Sequence, residues 1–234
     1  MKISRHYLGL TLAIALGTTL RFWNLDSKPL WLDEVITALF TFGKTYNDIP
    51  LETVFSLNRL PEIFRFNSAV SCPEIAENIA SQSTHPPLFF CLINYWLAKL
   101  STDYSSLITD LRSLPAWFGV GAIAAMYYLN TVAFSKSAGL MAAAFMAVSP
   151  FGVYISQEAR HYTLPVLLIT LSLLGLIHIQ QDFQSEKFRP ICWVGWVVIN
   201  TIGLYVHYFF ILALIAELVA ILVIFWKAKL KIDK

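Results

Sequence analysis

Long apolar runs separated by short polar connections limit what this chain can fold into more than any other feature. The runs cover residues 7–20, 114–134, 138–155, 162–179 and 191–226. As one helix the last run would be ~54 Å long. That exceeds the ~30 Å hydrocarbon core of a bilayer, so we expect it to fold back near residues 203–207. The pattern predicts an all-α, polytopic integral membrane helix bundle of about six spans.

The composition supports a membrane protein and argues against a nucleic-acid partner. Hydrophobic residues make up 57% of the chain and charged residues only 14%, whereas a soluble domain is about a quarter charged. No basic cluster accompanies an aromatic stacking surface, so no nucleic acid is expected to bind. Cys72, Cys91 and Cys192 match neither metal-binding nor redox spacing. They are predicted to be separate packing residues.

The chain is predicted to form a single membrane module over 1–234, with one long outer loop over residues 24–111. Segments 49–60 and 73–80 of that loop are amphipathic and predict short helices on the membrane surface. The apolar stretch 88–100 is shorter than the ~20 residues that a span needs. It is predicted to be a re-entrant or surface-lying helix. Arg21 and Trp23, at the end of the first run, are predicted to anchor a retained first span at the interface.

The distribution of lysine and arginine predicts the orientation of the bundle. If 88–100 does not cross, most basic residues of the short connections and of the tail lie on the same side as Lys2 and Arg5. We therefore expect both termini in the cytoplasm. Several polar residues then share the outer face: Asp33, His85, Glu158, Arg160 and His207.

Asp33 and Glu34 follow the first span in the sequence WLDE. Adjacent carboxylates at the water boundary can act as a general base for an acceptor hydroxyl. They can also provide oxygen ligands for Mg²⁺ or Mn²⁺. The alternative is a helix start, because acidic residues favour a first helical turn.

The segment SQEARHY, residues 156–162, is the densest polar group outside the long loop. Glu158 can be a second carboxylate for a metal or an acceptor, and Arg160 suits bidentate phosphate contact. His161 and Tyr162 can form hydrogen bonds to a substrate. The alternative is a solvated turn with a local Glu–Arg pair.

Four more residues are candidates by position. His85, before two prolines, can present an imidazole at the membrane surface, or it can mark a plain turn. Arg112 can neutralise a lipid phosphate or extend to the interface. His207 lies in an aromatic belt, where a histidine is often structural. Glu217 lies inside the last run, and an intramembrane acid is a functional candidate.

Five sequence segments occur in an order that resembles a known family: WLDE, THPPL, LRSLPAWFGVGAIAAMYYL, AGLMAAAFMAVSPFGVYISQEARHY and YVHYF. The chain resembles the amino-terminal membrane module of the bacterial GT-C glycosyltransferases related to protein O-mannosyltransferases and to lipid A aminoarabinose transferase. The likeness covers nearly the whole chain. The chain departs from the family pattern at residues 163–165, where the family has an aspartate.

The resemblance implies a hexosyltransferase that uses a polyprenyl-phosphate-linked sugar at the outer face. It implies that Asp33, beside Glu34, is the catalytic or metal-proximal carboxylate, and Glu158 is the nearest second-loop acid. It also implies further spans, so the chain is expected to be a fragment, a truncated product or a short form. The other functions left open are a transporter or flippase-like protein, and a non-catalytic membrane partner such as a truncated pseudoenzyme.

Overall fold

A computed structural model describes residues 5–50, 53–100, 103–185 and 187–232, and the regular secondary structure in these ranges is entirely helical. The α-helices are α1 (Arg5–Phe22), α2 (Leu32–Thr41), α3 (Leu60–Ile63), α4 (Cys72–Gln82), α5 (Leu88–Leu100), α6 (Leu107–Ala133), α7 (Lys136–Val148), α8 (Pro150–Ser156), α9 (Thr163–Ser185), α10 (Pro190–Val206) and α11 (Phe210–Ile232). The predicted all-α class is confirmed.

Helices α6 and α9 form the centre of the bundle. Helix α6 packs against α1, α7 and α9, and α9 packs in turn against α10 and α11. On one side Ile123 of α6 is buried with Ala143 and Ala147 of α7. On the other side Ile179 of α9 is buried with Trp196 of α10. The small alanines let α6 and α7 approach closely, as is usual for helices packed in lipid.

Within the described ranges, three helices are long and apolar enough to cross a membrane: Leu107–Ala133, Thr163–Ser185 and Phe210–Lys227. Helices α7 and α8 meet at a 59° bend and count as a fourth span when taken together. Helices α5 and α10 are apolar but shorter. These lengths support a helical membrane protein, while the six-span count stays a prediction.

The last apolar run folds back where the sequence predicts it. Helix α10 ends at Val206 and α11 begins at Phe210. The ring of Phe210 fills the space that a Cβ on Gly203 would occupy. A glycine at this position therefore lets the chain reverse with the two helices in contact.

The prediction for the outer loop is right in one segment and wrong in the other. Segment 73–80 lies within α4. In segment 49–60, residues 51–52 lie outside the described ranges, and the described residues contain the short 3-10 helix Leu57–Arg59 followed by the start of α3 at Leu60, not one continuous helix.

The prediction that Arg21 anchors the first span at the interface is wrong, because its side chain is fully buried. Its guanidinium donates to the carbonyl oxygens of Met146 (2.9 Å) and Ala147 (3.0 Å) at the end of α7. These carbonyls have lost their helical partners because α7 stops before α8. Arg21 therefore stabilises the bend between α7 and α8, and Trp23 alone stays exposed.

Cys72 and Cys91 form a disulfide, so the prediction of separate packing cysteines is wrong for these two. The bond connects the start of α4 to α5, and His85 lies in the segment that it closes. Cys192 is free. The spacing of the cysteines along the sequence does not indicate this disulfide, because the pairing depends on how α4 packs against α5.

The disulfide predicts a simple labelling result. Under denaturing conditions without reductant, a maleimide-polymer reagent is expected to modify only Cys192 and to give one shifted band on a gel. After reduction, three thiols are expected to react. Modification of all three cysteines without reductant would show that the bond does not form, and Cys72→Ser serves as the matched control because it frees Cys91.

Candidate functional site

The predicted polar residues meet at one end of the bundle, where the start of α2 and three connecting segments come together. The Arg160 guanidinium lies 3.8 Å from the Asp33 carboxylate at the start of α2. The ring of His161 is 5.5 Å from that of His85 and 4.5 Å from that of His207, measured between ring centroids. Residues far apart in the sequence thus form one cluster, which surrounds the connection between α8 and α9.

Glu34 is the buried anchor of this cluster. Its carboxylate accepts two hydrogen bonds from Arg112, at 2.8 and 2.6 Å. It also accepts the backbone N–H groups of Ala159 (2.7 Å) and Trp31 (3.2 Å). Both oxygens are fully used, so Glu34 connects α2, α6 and the α8–α9 connection rather than offering a free carboxylate to a substrate.

Arg112 has no N–H group left for a lipid phosphate. Besides Glu34, its guanidinium donates to the carbonyl oxygens of Leu25, Lys28 and Pro29. Together these bonds use all five donors that an arginine has. The geometry therefore assigns Arg112 to holding the loop before α2.

Arg160 is equally buried but much less occupied. Its Nη1 donates to the Asp33 carbonyl oxygen (3.1 Å) and to the Thr37 hydroxyl (2.9 Å). Its Nε has no hydrogen-bond partner among the described residues, and its Nη2 makes only the long ion pair with the Asp33 carboxylate. A buried guanidinium with unused donors is poised for a bidentate anion such as a phosphate.

The three histidines of the cluster are held in their neutral form. Burial, followed by the nearby charge of Arg160, lowers the pKa of His85 and of His207. The same two causes lower the pKa of His161 to about 2. His161 is 2% exposed and its Nε2 has no partner in the described part of the chain. It can therefore meet a ligand as a neutral hydrogen-bonding group.

The low pKa of His161 predicts an acid-sensitive fold. The unfolded state takes up a proton below about pH 6.5, whereas the folded state keeps His161 neutral until about pH 2. Stability is therefore expected to fall as the pH drops below about 6.5, by at most about 1.4 kcal/mol per pH unit for this one group. Thermal unfolding measured across this range should show a smaller slope for His161→Gln than for wild type. An unchanged slope would contradict the assignment.

A cleft of about 540 Å³ opens beside the cluster, between α8, the start of α9 and the turn before α11. Its walls are mostly apolar, and its polar side chains include Glu158, His161 and His207. Tyr162 also lines it. This volume is within the usual range of small-molecule sites, which are mostly apolar with a few polar groups.

A second, smaller cavity of about 210 Å³ lies on the other side of the same wall. It is lined by more polar groups, including Lys28, Gln157 and the Glu34–Arg112 pair. Trp31, Tyr154 and Glu158 line both cavities and so form the wall between them. Glu158 is predicted from the sequence, whereas Trp31 and Tyr154 are not, because nothing in the sequence distinguishes them from the many other aromatic residues.

The predicted divalent-ion site has little support from the residues that the structure describes. Among them, no group of three or more His, Cys, Asp or Glu side chains is arranged to hold a metal ion. Asp33 is paired with Arg160, and Glu158 lies apart from that pair in the cavity wall. A metal at this site therefore stays a prediction, with Asp33 and Glu158 as its predicted ligands.

Glu217 belongs to a separate cluster between α9, α10 and α11. Its carboxylate Oε2 accepts from the Ser172 hydroxyl (2.5 Å), the Trp196 indole N–H (2.6 Å) and the Asn200 amide (3.3 Å). Glu217 therefore has polar partners that the sequence does not indicate. The hydrogen bonds connect α9, α10 and α11, so Glu217 has a structural role.

The comparisons with known proteins add no identification. No family model matches the chain, and searches of curated proteins and of solved structures find no match. The geometry described above therefore carries the functional argument.

Proposed function

We propose that the chain is a membrane glycosyltransferase, or the catalytic-side part of one, that moves a sugar from a polyprenyl-phosphate carrier to an acceptor hydroxyl. The observation that carries the proposal is the contrast between two buried arginines. Arg112 has every donor bonded within the protein, whereas among the described residues Arg160 Nε has no hydrogen-bond partner and its Nη2 makes the 3.8 Å ion pair with Asp33. A buried cation with free donors next to a partly exposed acid suits transfer from a phosphate.

The cavities suit the two substrates of such a reaction. The larger cleft has apolar walls formed by α8 and the first turns of α9, including Val166 and Ile169, and these would accommodate an isoprenoid chain. The smaller polar cavity has a volume of about 210 Å³, which corresponds to about seven water molecules. This space is enough for the hydroxyl-bearing group of an acceptor. The resemblance to GT-C enzymes agrees with this arrangement.

In the proposed mechanism, Asp33 is the general base. Its side chain is 34% exposed, so it can reach water and substrate, unlike the buried Glu34. The acceptor oxygen attacks the anomeric carbon while the bond from that carbon to the phosphate oxygen breaks. The acceptor proton passes to Asp33, and Arg160 stabilises the negative charge that develops on the departing phosphate.

Two observations support placing this site on the outer side of the membrane. The lysine and arginine distribution favours cytoplasmic termini. The Cys72–Cys91 disulfide lies in the same loop as Asp33, and disulfides persist in oxidising compartments outside the cytoplasm.

The test of the proposal is binding of a polyprenyl phosphate to the purified chain in detergent. Arg160→Gln is expected to weaken binding by about ten- to a hundredfold, because a charge-assisted hydrogen bond contributes about 1.5–3 kcal/mol. Arg65→Gln, which changes an exposed arginine of the outer loop, is the matched control and should bind as wild type does. Failure of the wild-type chain to bind would favour a non-catalytic membrane partner.

One observation favours a second candidate, a transporter or flippase-like protein. The 59° break between α7 and α8 resembles the discontinuous helices that form transporter sites. Uptake of a polyprenyl-linked substrate into liposomes that is unaffected by Asp33→Asn would support transport. The position of the polar cluster at the ends of the helices, away from their middle, favours the transferase.

A further inference from the structure

Arg160 and Asp33 form an open ion pair, in contrast to the closed pair of Arg112 and Glu34. Arg112 holds Glu34 through Nε and Nη2, with N–O distances of 2.8 and 2.6 Å. The Nη2 of Arg160 instead lies 3.8 Å from the Asp33 carboxylate, beyond hydrogen-bond range. The Nε of Arg160 has no partner in the described part of the chain. Hydrogen-bonded opposite charges lie about 2.7–2.9 Å apart, so a third group must hold this pair open.

The Thr37 hydroxyl lies where it can hold the two groups apart. Thr37 is one helical turn beyond Asp33 on α2 and is 1% exposed. Its Oγ1 donates to the Asp33 backbone carbonyl oxygen (2.9 Å) and accepts from Nη1 of Arg160 (2.9 Å). A threonine hydroxyl has one proton to donate. Because that proton goes to the Asp33 carbonyl, the lone pairs of Oγ1 are left for the guanidinium.

These bonds fix the orientation of the Arg160 guanidinium. Its Nη1 is held by two uncharged oxygens of α2, the Thr37 hydroxyl and the Asp33 carbonyl (3.1 Å). The Tyr162 ring lies against the same group, with its centroid 5.6 Å from Cζ. A guanidinium is planar and rigid, so holding one nitrogen limits where the edge formed by Nε and Nη2 can turn. That edge is the one with which Arg112 grips Glu34.

We propose that Thr37 is a positioning residue that keeps Arg160 and Asp33 from closing into a hydrogen-bonded ion pair. A closed pair would use Nε, Nη2 and both carboxylate oxygens, as Arg112 and Glu34 do, and would leave neither group for a substrate. The open pair keeps the cation available to an anion and the acid available to a proton. This inference deepens the proposed function and rests on it for the identity of the anion as a polyprenyl phosphate.

The first measurement is the rate at which a water-soluble carbodiimide and an amine modify the Asp33 carboxylate, followed by mass spectrometry on the purified chain in detergent. Thr37→Val keeps the branched shape and removes the hydroxyl. It is expected to slow the modification about three- to tenfold, the effect of one hydrogen bond on an equilibrium, because Arg160 then closes onto the carboxylate. Thr37→Ala should act in the same way, and Thr37→Ser should react as wild type does. Mere loosening of α2 would instead expose Asp33 and speed the reaction.

Two comparisons test whether Thr37 acts through the guanidinium. In an Arg160→Gln background, Thr37→Val should not change the modification rate of Asp33, because no guanidinium remains to close onto it. Thr41→Val removes another buried hydroxyl of α2, whose Oγ1 has no partner among the described residues. It is the matched control and should react as wild type does. An unchanged or faster rate in Thr37→Val and Thr37→Ala would overturn the inference, as would a rate for Thr37→Ser as slow as that for Thr37→Val.

The second measurement is the binding of polyprenyl phosphate to the same variants. Thr37→Val and Thr37→Ala are expected to weaken binding about three- to tenfold, while Thr37→Ser and Thr41→Val should bind as wild type does. Wild-type affinity in Thr37→Val and Thr37→Ala would overturn the inference. If the wild-type chain failed to bind polyprenyl phosphate while the modification rates of Asp33 changed as expected, the result would count against the proposed function alone.

Discussion

Replacing Glu34 by glutamine is expected to lower the free energy of unfolding by about 3–5 kcal/mol, because the Arg112 guanidinium would stay buried without a carboxylate partner. Glu34 is fully buried and accepts four hydrogen bonds, two of them from Arg112. The amide that replaces it accepts at one oxygen only. Its NH₂ group would face the Arg112 N–H groups.

The measurement is denaturant-induced unfolding of the purified chain in detergent micelles. Glu62→Gln, which changes an exposed acid in the same outer loop, is expected to shift stability by less than about 0.5 kcal/mol. The double variant Glu34→Met with Arg112→Met should recover part of the lost stability. Removing both charges destabilises the fold less than leaving one charge buried without a partner. A loss below about 1 kcal/mol for Glu34→Gln would show that the ion pair does not anchor the site.

Replacing Asp33 by asparagine is expected to reduce the single-turnover rate of sugar transfer by about 10²–10⁴-fold, the usual contribution of a positioned general base. Asparagine keeps the size and position of the side chain but cannot accept the acceptor proton. Because Arg160 also bonds the Asp33 backbone carbonyl and Thr37, its guanidinium should stay in place. Binding of polyprenyl phosphate is therefore expected to change only a few-fold.

This separation of rate from binding distinguishes a base from a residue that only supports the fold. Asp26→Asn changes an exposed acid in the same outer loop as Asp33. It should leave both the transfer rate and the binding of polyprenyl phosphate unchanged. Equal transfer rates for wild type and Asp33→Asn would remove Asp33 from the mechanism. If Asp33→Asn lowered the transfer rate and the binding of polyprenyl phosphate by the same factor, Asp33 would instead serve to position the Arg160 guanidinium.

The sequence by itself determined the class of fold and the place of the site. Apolar runs too long and too frequent for a soluble core predicted a helical membrane protein, and a run longer than a bilayer predicted the reversal before Phe210. Polar residues clustered at the ends of those runs predicted the group around Arg160 and His161. Such features are visible in a sequence because hydrophobic burial depends mainly on local composition.

Only the tertiary structure decided what each polar residue does. The sequence predicts an interfacial anchor for Arg21 and phosphate contacts for Arg112 and Arg160. In the structure Arg21 holds a helix bend, Arg112 is saturated by Glu34 and backbone carbonyls, and Arg160 lies beside Asp33 with its Nε unpaired among the described residues. The Cys72–Cys91 bond and the wall that Glu158 shares between two cavities were equally hidden. Directional bonds depend on where distant segments lie in space, and residue spacing along the chain does not record that.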